Sequence, residues 1–456
     1  MARDVADGEI VESRDALAVW FEAGCKRGGA LRIGTEHEKI LFYRANHDPV
    51  PYEGDRGIGA LLEGMNARLG WERIEDGGHL IGLYDDKAGA AISLEPGGQF
   101  ELSGAPLETA HETAEELTRH LAICQSVAEP LGLSALSLGM SPKWTLGQTP
   151  TMPKTRYGIM KRYMPMVGTR GLDMMFRTST VQTNFDFRDE RDMVTKLRVA
   201  LALQPAITAL FANSPFTDGK LNGCLSARSE IWRHTDPDRT GMLPFAFESG
   251  MGFERYVDYA LDVPLYFLKR GGAYVDVAGG SFRDLLNGRL AAAPGERATI
   301  ADWENHLSTI FPEVRLKRYL EMRGADVGPR ERVVAMAALT SGLFYDPEAL
   351  SSAWALVEAW TAEERQALRD DVPRLGFAAT IHGRGLREIV LDMLAIARAG
   401  LVRRGKVNLG GEDETIWLAP LQAIADSGRS SAQVWVERFE GRWRGSVEPA
   451  FEEAIF

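Results

Sequence analysis

The sequence predicts an α+β protein in which an antiparallel or mixed sheet, with helices packed outside it, forms a cavity and is followed by a mostly helical C-terminal region. Three observations lead there. Two strand-like runs, residues 32–43 and 92–102, carry carboxylates among apolar residues. Helix-like and strand-like segments are mixed rather than strictly alternating. Beyond about Pro312 the apolar spacing becomes mostly helical.

The first helix is expected at 13–26 with Ser13 as its N-cap, and a second at 109–129, both with apolar residues at helical spacing. Between them, the run 32–43 sets Glu36 and Glu38 two residues apart, so in a strand they share a face. Like charges held ~7 Å apart on one side of a sheet repel unless a cation lies between them, and hard oxygen ligands suit Mg²⁺. An edge strand with an acidic solvent face is the alternative. The second run adds Glu95, Gln99 and Glu101, interrupted at Pro96-Gly97-Gly98, where a bulge or a close approach to a ligand is expected. With the amphipathic segment 56–69 between them, the two runs can line one cavity, and acids facing inward need cations.

Strands or strand pairs are expected at 133–140, 168–187 and 223–232, and a helix at 193–212. Further helices are expected at 314–323, 330–343, 347–358, 361–370, 385–404 and 431–440. No Ser/Gly-rich linker, low-complexity tract or repeat divides the 456 residues. One unit spanning 1–456 follows, sheet-rich over about 30–312 and mostly helical over about 313–456.

Composition narrows the function. A net charge of −12 argues against the broad basic surface of a nucleic-acid binder. The longest uncharged run, 199–217, contains Gln204, Pro205, Asn213 and Pro215, which suits a buried helix ending in a turn better than a membrane span. Cys25, Cys124 and Cys224 are too few and too widely spaced for a disulfide framework or a zinc site. The first ten residues lack the layout of a signal peptide and carry acids that a transit peptide avoids. A cytoplasmic protein is therefore expected.

The familiar catalytic loops are missing. Neither Gly219-Lys220 nor Gly405-Lys406 is followed by Ser or Thr, His37-Glu38 lacks the second His of a zincin, and there is no Gly-x-Gly-x-x-Gly or Gly-x-Ser-x-Gly run. Any nucleotide must be held by metal ions on carboxylates together with Lys and Arg side chains. Lys143, Lys154, Arg156 and Arg228 lie among small and aromatic neighbours; an Arg there serves a carboxylate or phosphate, or a structural salt bridge. Gln182 and Asn184 alternate along 178–187 as neutral oxygen donors or as ordinary strand polar groups.

Several runs together carry a resemblance: Gly34-Thr-Glu-His-Glu-Lys39, Gly171-Leu-Asp-Met-Met175, Leu210-Phe-Ala-Asn-Ser-Pro-Phe216, Asp238-Arg-Thr-Gly-Met-Leu-Pro-Phe245, Tyr256-Val-Asp-Tyr-Ala-Leu-Asp-Val-Pro264 and the stretch from Trp303 to Asp326. From about residue 10 to the end the chain resembles the plant-type glutamate–cysteine ligases of plants and proteobacteria. The resemblance implies a glutamine synthetase-like fold and an ATP- and Mg²⁺-dependent ligase. Glutamate, cysteine and ATP would be its substrates, and γ-glutamylcysteine, the first intermediate of glutathione synthesis, its product. Glutathione feedback, and a monomer or weak homodimer with no nucleic-acid or membrane partner, are further expectations.

It also implies site roles. Glu36, Glu38, Glu95 and Glu101 become metal ligands, with Gln99 and Asn184 as weaker ones. Arg156 and Arg228 are divided between the glutamate α-carboxylate and the transferring phosphate, as substrate-binding and catalytic groups, and Tyr266 borders the cysteine pocket. Positions matching the plant regulatory cysteines are Val277, Ala292 and Val334, so the plant thiol switch is expected to be absent. A ligase for another amine is the near alternative; a catalytically silent binding protein is the distant one, disfavoured by the four acids.

Overall fold

A computed structural model describes residues 8–456, so the first seven positions of the N-terminal reading lie outside the described residues. Among the described residues, nine strands form one sheet. They are β1 (Ile33–Tyr43), β2 (Glu72–Asp76), β3 (His79–Tyr84), β4 (Ala91–Leu94), β5 (Phe100–Ser103), β6 (Leu133–Leu136), β7 (Thr180–Phe185), β8 (Val314–Leu316) and β9 (Leu320–Asp326). The order is β8-β9-β7-β1-β5-β4-β3-β2, with β6 paired to the C-terminal end of β1. Every pairing in it is antiparallel.

The central strand β1 is buried along nearly its whole length. Its residues alternate between two environments, as the pleat requires. Glu36 and Glu38 face the cavity. His37 and Lys39 turn the other way, toward α3 (Ala110–Ala128), where the His37 ring meets His120 at a centroid distance of 5.6 Å. The helix Arg330–Phe344 covers the same side, Thr340 sharing a hydrogen bond with Thr183 of β7. The capping box at Thr109–Glu112 starts α3 where the sequence predicts it. Ser13 likewise caps α1 (Arg14–Glu22).

The expected amphipathic segment is α2 (Ile58–Leu69), which buries Leu61, Leu62 and Met65 against the β3–β5 end of the sheet. The long helix at 193–212 is α6 (Glu190–Phe211). It is long and apolar enough to cross a membrane, yet 89% of that stretch is buried inside the protein.

Four expectations need correction. The segment 314–323 is the β8–β9 hairpin rather than a helix, so the sheet continues past the boundary expected near residue 312. Val314-Arg-Leu-Lys317 and Leu320-Glu-Met-Arg323 alternate apolar and charged residues, a period of two that a strand satisfies. Only the second half of 168–187 is a strand. The first half is α5 (Gly171–Arg177), held by the Asp173–Arg177 ion pair one turn apart. The segment 223–232 is a loop followed by α7 (Ala227–Trp232), because the Ser226 hydroxyl accepts from the Ser229 N–H and caps a helix. Finally, Pro96-Gly97-Gly98 is the turn of a β4–β5 hairpin, with Gly98 at φ +86°.

Candidate active site

A cavity of about 120 Å³ lies over the face of β1, β5 and β7, closed by α4 (Thr155–Val167), α5, α7 and the β8–β9 hairpin. It gathers Glu36, Glu38, Glu95, Glu101, Gln99, Arg156 and Arg228 from four separate stretches of the sequence. Asn184 and Tyr266 are not on its wall.

On the acidic side Glu38 and Glu101 are directly opposed across β1 and β5. Glu101 accepts from the Ser93 hydroxyl at 2.7 Å, and Glu38 accepts from the Thr180 N–H at 2.9 Å. Burial, reinforced by Glu95 and Glu101, raises the Glu38 carboxyl well above its ordinary range. Burial also raises Glu36, and Glu321 and Glu101 add to it. Glu36 is engaged differently. It accepts from the amides of Asn184 at 2.8 Å and Gln182 at 3.3 Å, so Asn184 stands behind Glu36 instead of facing the cavity. Gln182 does face the cavity, with its buried carbonyl oxygen unpartnered.

Gln99 reaches the wall but is fully used. Its Oε1 accepts from the Gly97 N–H at 3.0 Å, and its Nε2 donates to the carbonyls of Thr178 at 2.7 Å and Met175 at 3.3 Å. It staples the β4–β5 turn onto α5. Gly97 permits that approach, since a Cβ there would sit 2.1 Å from the Phe176 carbonyl oxygen. Among the described residues no three acidic, imidazole or thiol groups converge closely enough to enclose a metal ion unaided. Mg²⁺ does not ask for that: it takes one or two carboxylates and completes its shell with waters and phosphate oxygens. Glu38, Glu95 and Glu101 fit such a partial site, hard oxygens whose mutual repulsion a cation would relieve.

Four arginines occupy the other side. Arg228 is 2% exposed, donates to the Arg323 carbonyl at 2.9 Å and has its guanidinium 5.8 Å from the Trp232 ring centroid. Burial lowers its pKa, against the pull of Asp326 and Glu38. Its Nε has no partner. Arg156, at the start of α4, packs beside Tyr157, whose hydroxyl donates to the Leu94 carbonyl at 2.6 Å. Arg315 of β8 and Arg323 of β9 complete the set. Sequence reasoning missed both by reading their segment as a helix. Arg315 is the cross-strand partner of Glu321, and Arg323, two residues further along β9, shares that face by strand alternation.

Tyr266 is buried away from this wall. Its ring lies under the Arg239 guanidinium at 3.8 Å and against Tyr163 at 5.3 Å. The cavity therefore carries acids on one wall and four arginines on the other.

The chain is similar to known proteins in sequence and in fold. A family model described as glutamate-cysteine ligase family 2 (GCS2) matches residues 32–453. The chain is 50% identical to the chloroplastic glutamate–cysteine ligase of Nicotiana tabacum over 444 residues, 97% of this chain and 83% of that one. It is 49% identical to the chloroplastic glutamate–cysteine ligase B of Oryza sativa subsp. japonica, over 97% of this chain and 87% of that one. In fold it resembles the glutamate–cysteine ligase of Francisella tularensis crystallised with AMP, with a TM-score of 0.53 at 12% identity over 91% of this chain and 86% of the other.

Proposed function

The chain belongs to glutamate-cysteine ligase family 2, and on that premise we propose how its cavity carries out the reaction and which residues take part. The enzyme joins the γ-carboxylate of L-glutamate to the amine of L-cysteine at the expense of ATP, giving γ-glutamylcysteine, the first step of glutathione synthesis. The convergence of acidic and basic walls on one cavity supports the finer reading.

A γ-carboxylate oxygen of glutamate attacks the γ-phosphorus of ATP and ADP leaves, forming γ-glutamyl phosphate. The cysteine ammonium first gives a proton to water; the free amine then attacks the acyl carbon, the C–O bond to phosphate breaks, and the second nitrogen proton leaves with the departing phosphate as the amide forms. Both steps need positioning and charge neutralisation more than covalent help from the protein. Glu38, Glu95 and Glu101 would hold Mg²⁺, which when bound neutralises phosphate charge. Glu36, fixed by Gln182 and Asn184, orients the acidic wall. Arg156 and Arg228 take the glutamate α-carboxylate and the transferring phosphate, since their planar forks match both anions. Arg315 and Arg323 add positive charge where negative charge builds up. Glutathione, which contains the γ-glutamyl group, competes for the same cavity. The chain acts as a monomer or weak homodimer without nucleic-acid or membrane partners.

The cytoplasmic placement expected from the sequence is corrected. The relatives at about 50% identity are chloroplastic by name, which points to a plastid. Few, unpaired cysteines mark a reducing compartment without saying which one.

Phosphate release from ATP tests the reading of substrates and metal. Turnover is expected only with glutamate, an amine acceptor and Mg²⁺ together, cysteine being the best acceptor. Equal rates with cysteine and an unrelated amine would remove the acceptor assignment, and undiminished turnover in the presence of a chelator would remove the metal.

A further inference from the structure

Glu321 of β9 is fully buried and meets three cations. Arg315 grips it with two nitrogens: Nη2 lies 2.7 Å from Oε1 and 2.8 Å from Oε2, and Nε is 3.1 Å from Oε2. Lys317 stands 3.0 Å away, and Arg323 pairs with Oε1. Burial would raise this carboxyl, but Arg315, Lys317 and Arg323 outweigh it and hold the group well below the usual carboxylate range.

The count of charges matters. Glu36 also acts on Arg315, Lys317 and Arg323, so two carboxylates face three cations; that still leaves an excess of positive charge in the interior, and buried charge is costly unless something compensates it. Two of the cations, Arg315 and Arg323, line the cavity. The missing negative charge is therefore best supplied by a ligand. Arg315 is also pinned through Nη1, which donates to the carbonyls of Ser308 at 2.9 Å and Ile310 at 3.0 Å. The Arg323 carbonyl in turn holds Arg228 at 2.9 Å. Glu321 is thus the node through which three cavity arginines are connected.

We propose that Glu321 is a positioning residue for phosphoryl transfer: it touches no substrate, and it fixes Arg315 and Arg323 so that their free faces meet the phosphates of the nucleotide. This rests on the ligase reading of the cavity. A plain structural ion pair would use one cation and place none of the others on a cavity wall. The grip depends on reach as well as charge, because both carboxylate oxygens are engaged at once.

Two variants test this. Glu321→Asp keeps the charge and withdraws the carboxylate by one methylene. Glu321→Gln combined with Lys317→Met removes one negative and one positive charge, leaving the local balance as it is. Melting temperature, MgATP binding by calorimetry, and kcat with KM for ATP, glutamate and cysteine are measured for each. Both variants are expected to fold, to bind MgATP at least tenfold more weakly or lose at least tenfold in kcat, and to keep KM for cysteine within about twofold. Wild-type kcat and MgATP affinity in both folded variants would overturn the proposal. So would equal rises in all three KM values at unchanged kcat, or failure of both to fold, which would make Glu321 a purely structural anchor. Wild-type turnover is recorded alongside: its absence would remove the ligase reading, whereas a working wild type with indifferent variants removes only the role of Glu321.

Discussion

Glu38 on β1 and Glu101 on β5 are direct cross-strand partners. Such positions hold Cβ atoms ~5 Å apart, and like charges placed there destabilise a sheet. Both residues are largely buried and both line the cavity, so the arrangement opposes folding and favours a cation. Glu38→Gln removes one charge and keeps the shape. We expect kcat to fall ~100-fold or more, equivalent to about 2.7 kcal/mol of transition-state stabilisation, while the metal-free variant melts no lower than wild type. Normal melting with normal turnover would contradict the assignment.

Proton release should accompany Mg²⁺ binding. Glu36 and Glu38 have carboxyls raised above the ordinary 4.5 by burial first and by neighbouring acids second. A raised pKa in the folded state means that these groups contribute stability below about 4.5, and that it is lost as pH rises through the shifted values. The cation relieves that loss. Stabilisation by Mg²⁺, measured as a shift in melting temperature, should therefore grow with pH, and calorimetry in buffers of different ionisation enthalpy should detect released protons. A Mg²⁺-induced shift independent of pH would count against Glu38 as a ligand and Glu36 as its neighbour on the acidic wall.

Gln99 separates two roles that the sequence leaves joined. As a ligand, its loss would raise the Mg²⁺ requirement. As the staple seen between the β4–β5 turn and α5, its loss leaves the Met175 and Thr178 carbonyls without a partner. Gln99→Leu is expected to destabilise by ~1–3 kcal/mol in denaturant unfolding, with the Mg²⁺ dependence of the surviving activity unchanged. A shifted Mg²⁺ dependence at unaltered stability would restore the ligand role.

Arg228→Lys should raise KM for glutamate or lower kcat far more than it affects cysteine, because an ammonium cannot reproduce a two-pronged contact with a carboxylate or phosphate. Steady-state kinetics with each substrate varied in turn decides this. Unchanged constants would make Arg228 a structural partner of Asp326.

Thiol oxidation should leave activity alone. Cys25, Cys124 and Cys224 are free. Val277 and Val334 are buried, and Ala292 lies at the surface with no sulfur to offer. Activity and free-thiol count are followed together after oxidised and then reduced dithiothreitol. A reversible several-fold change with loss of two thiols would reveal a switch.

The acidic wall was legible in the sequence because Glu-x-Glu in an apolar strand is a local pattern, and strand parity carries it to one face without tertiary information. Long amphipathic helices with capping residues, such as α3, were legible for the same reason. What failed was short or non-local. Residues 314–323 combine strand alternation with good helix formers, and only pairing of Leu320–Phe185 and its neighbours to β7 resolves the competition. The capping of α7 by Ser226 lay in plain view in the sequence, but a six-residue helix leaves too little periodicity to detect. Arg323 owes its place to a strand that was read as a helix, and Gln99 its occupation to carbonyls that are distant in sequence. Tyr266 illustrates a further limit: packing under Arg239 sets its side chain off the cavity wall, a placement that no local pattern announces.

The most direct test of the central account uses glutamate labelled with ¹⁸O in its γ-carboxylate, supplied with ATP, Mg²⁺ and cysteine. Attack of that carboxylate on the γ-phosphorus, followed by departure of phosphate, must transfer one labelled oxygen from each glutamate into the phosphate released, with γ-glutamylcysteine formed in equal amount. Mass spectrometry of both products is expected to find that transfer; phosphate free of label, or label transfer without the dipeptide, would contradict it.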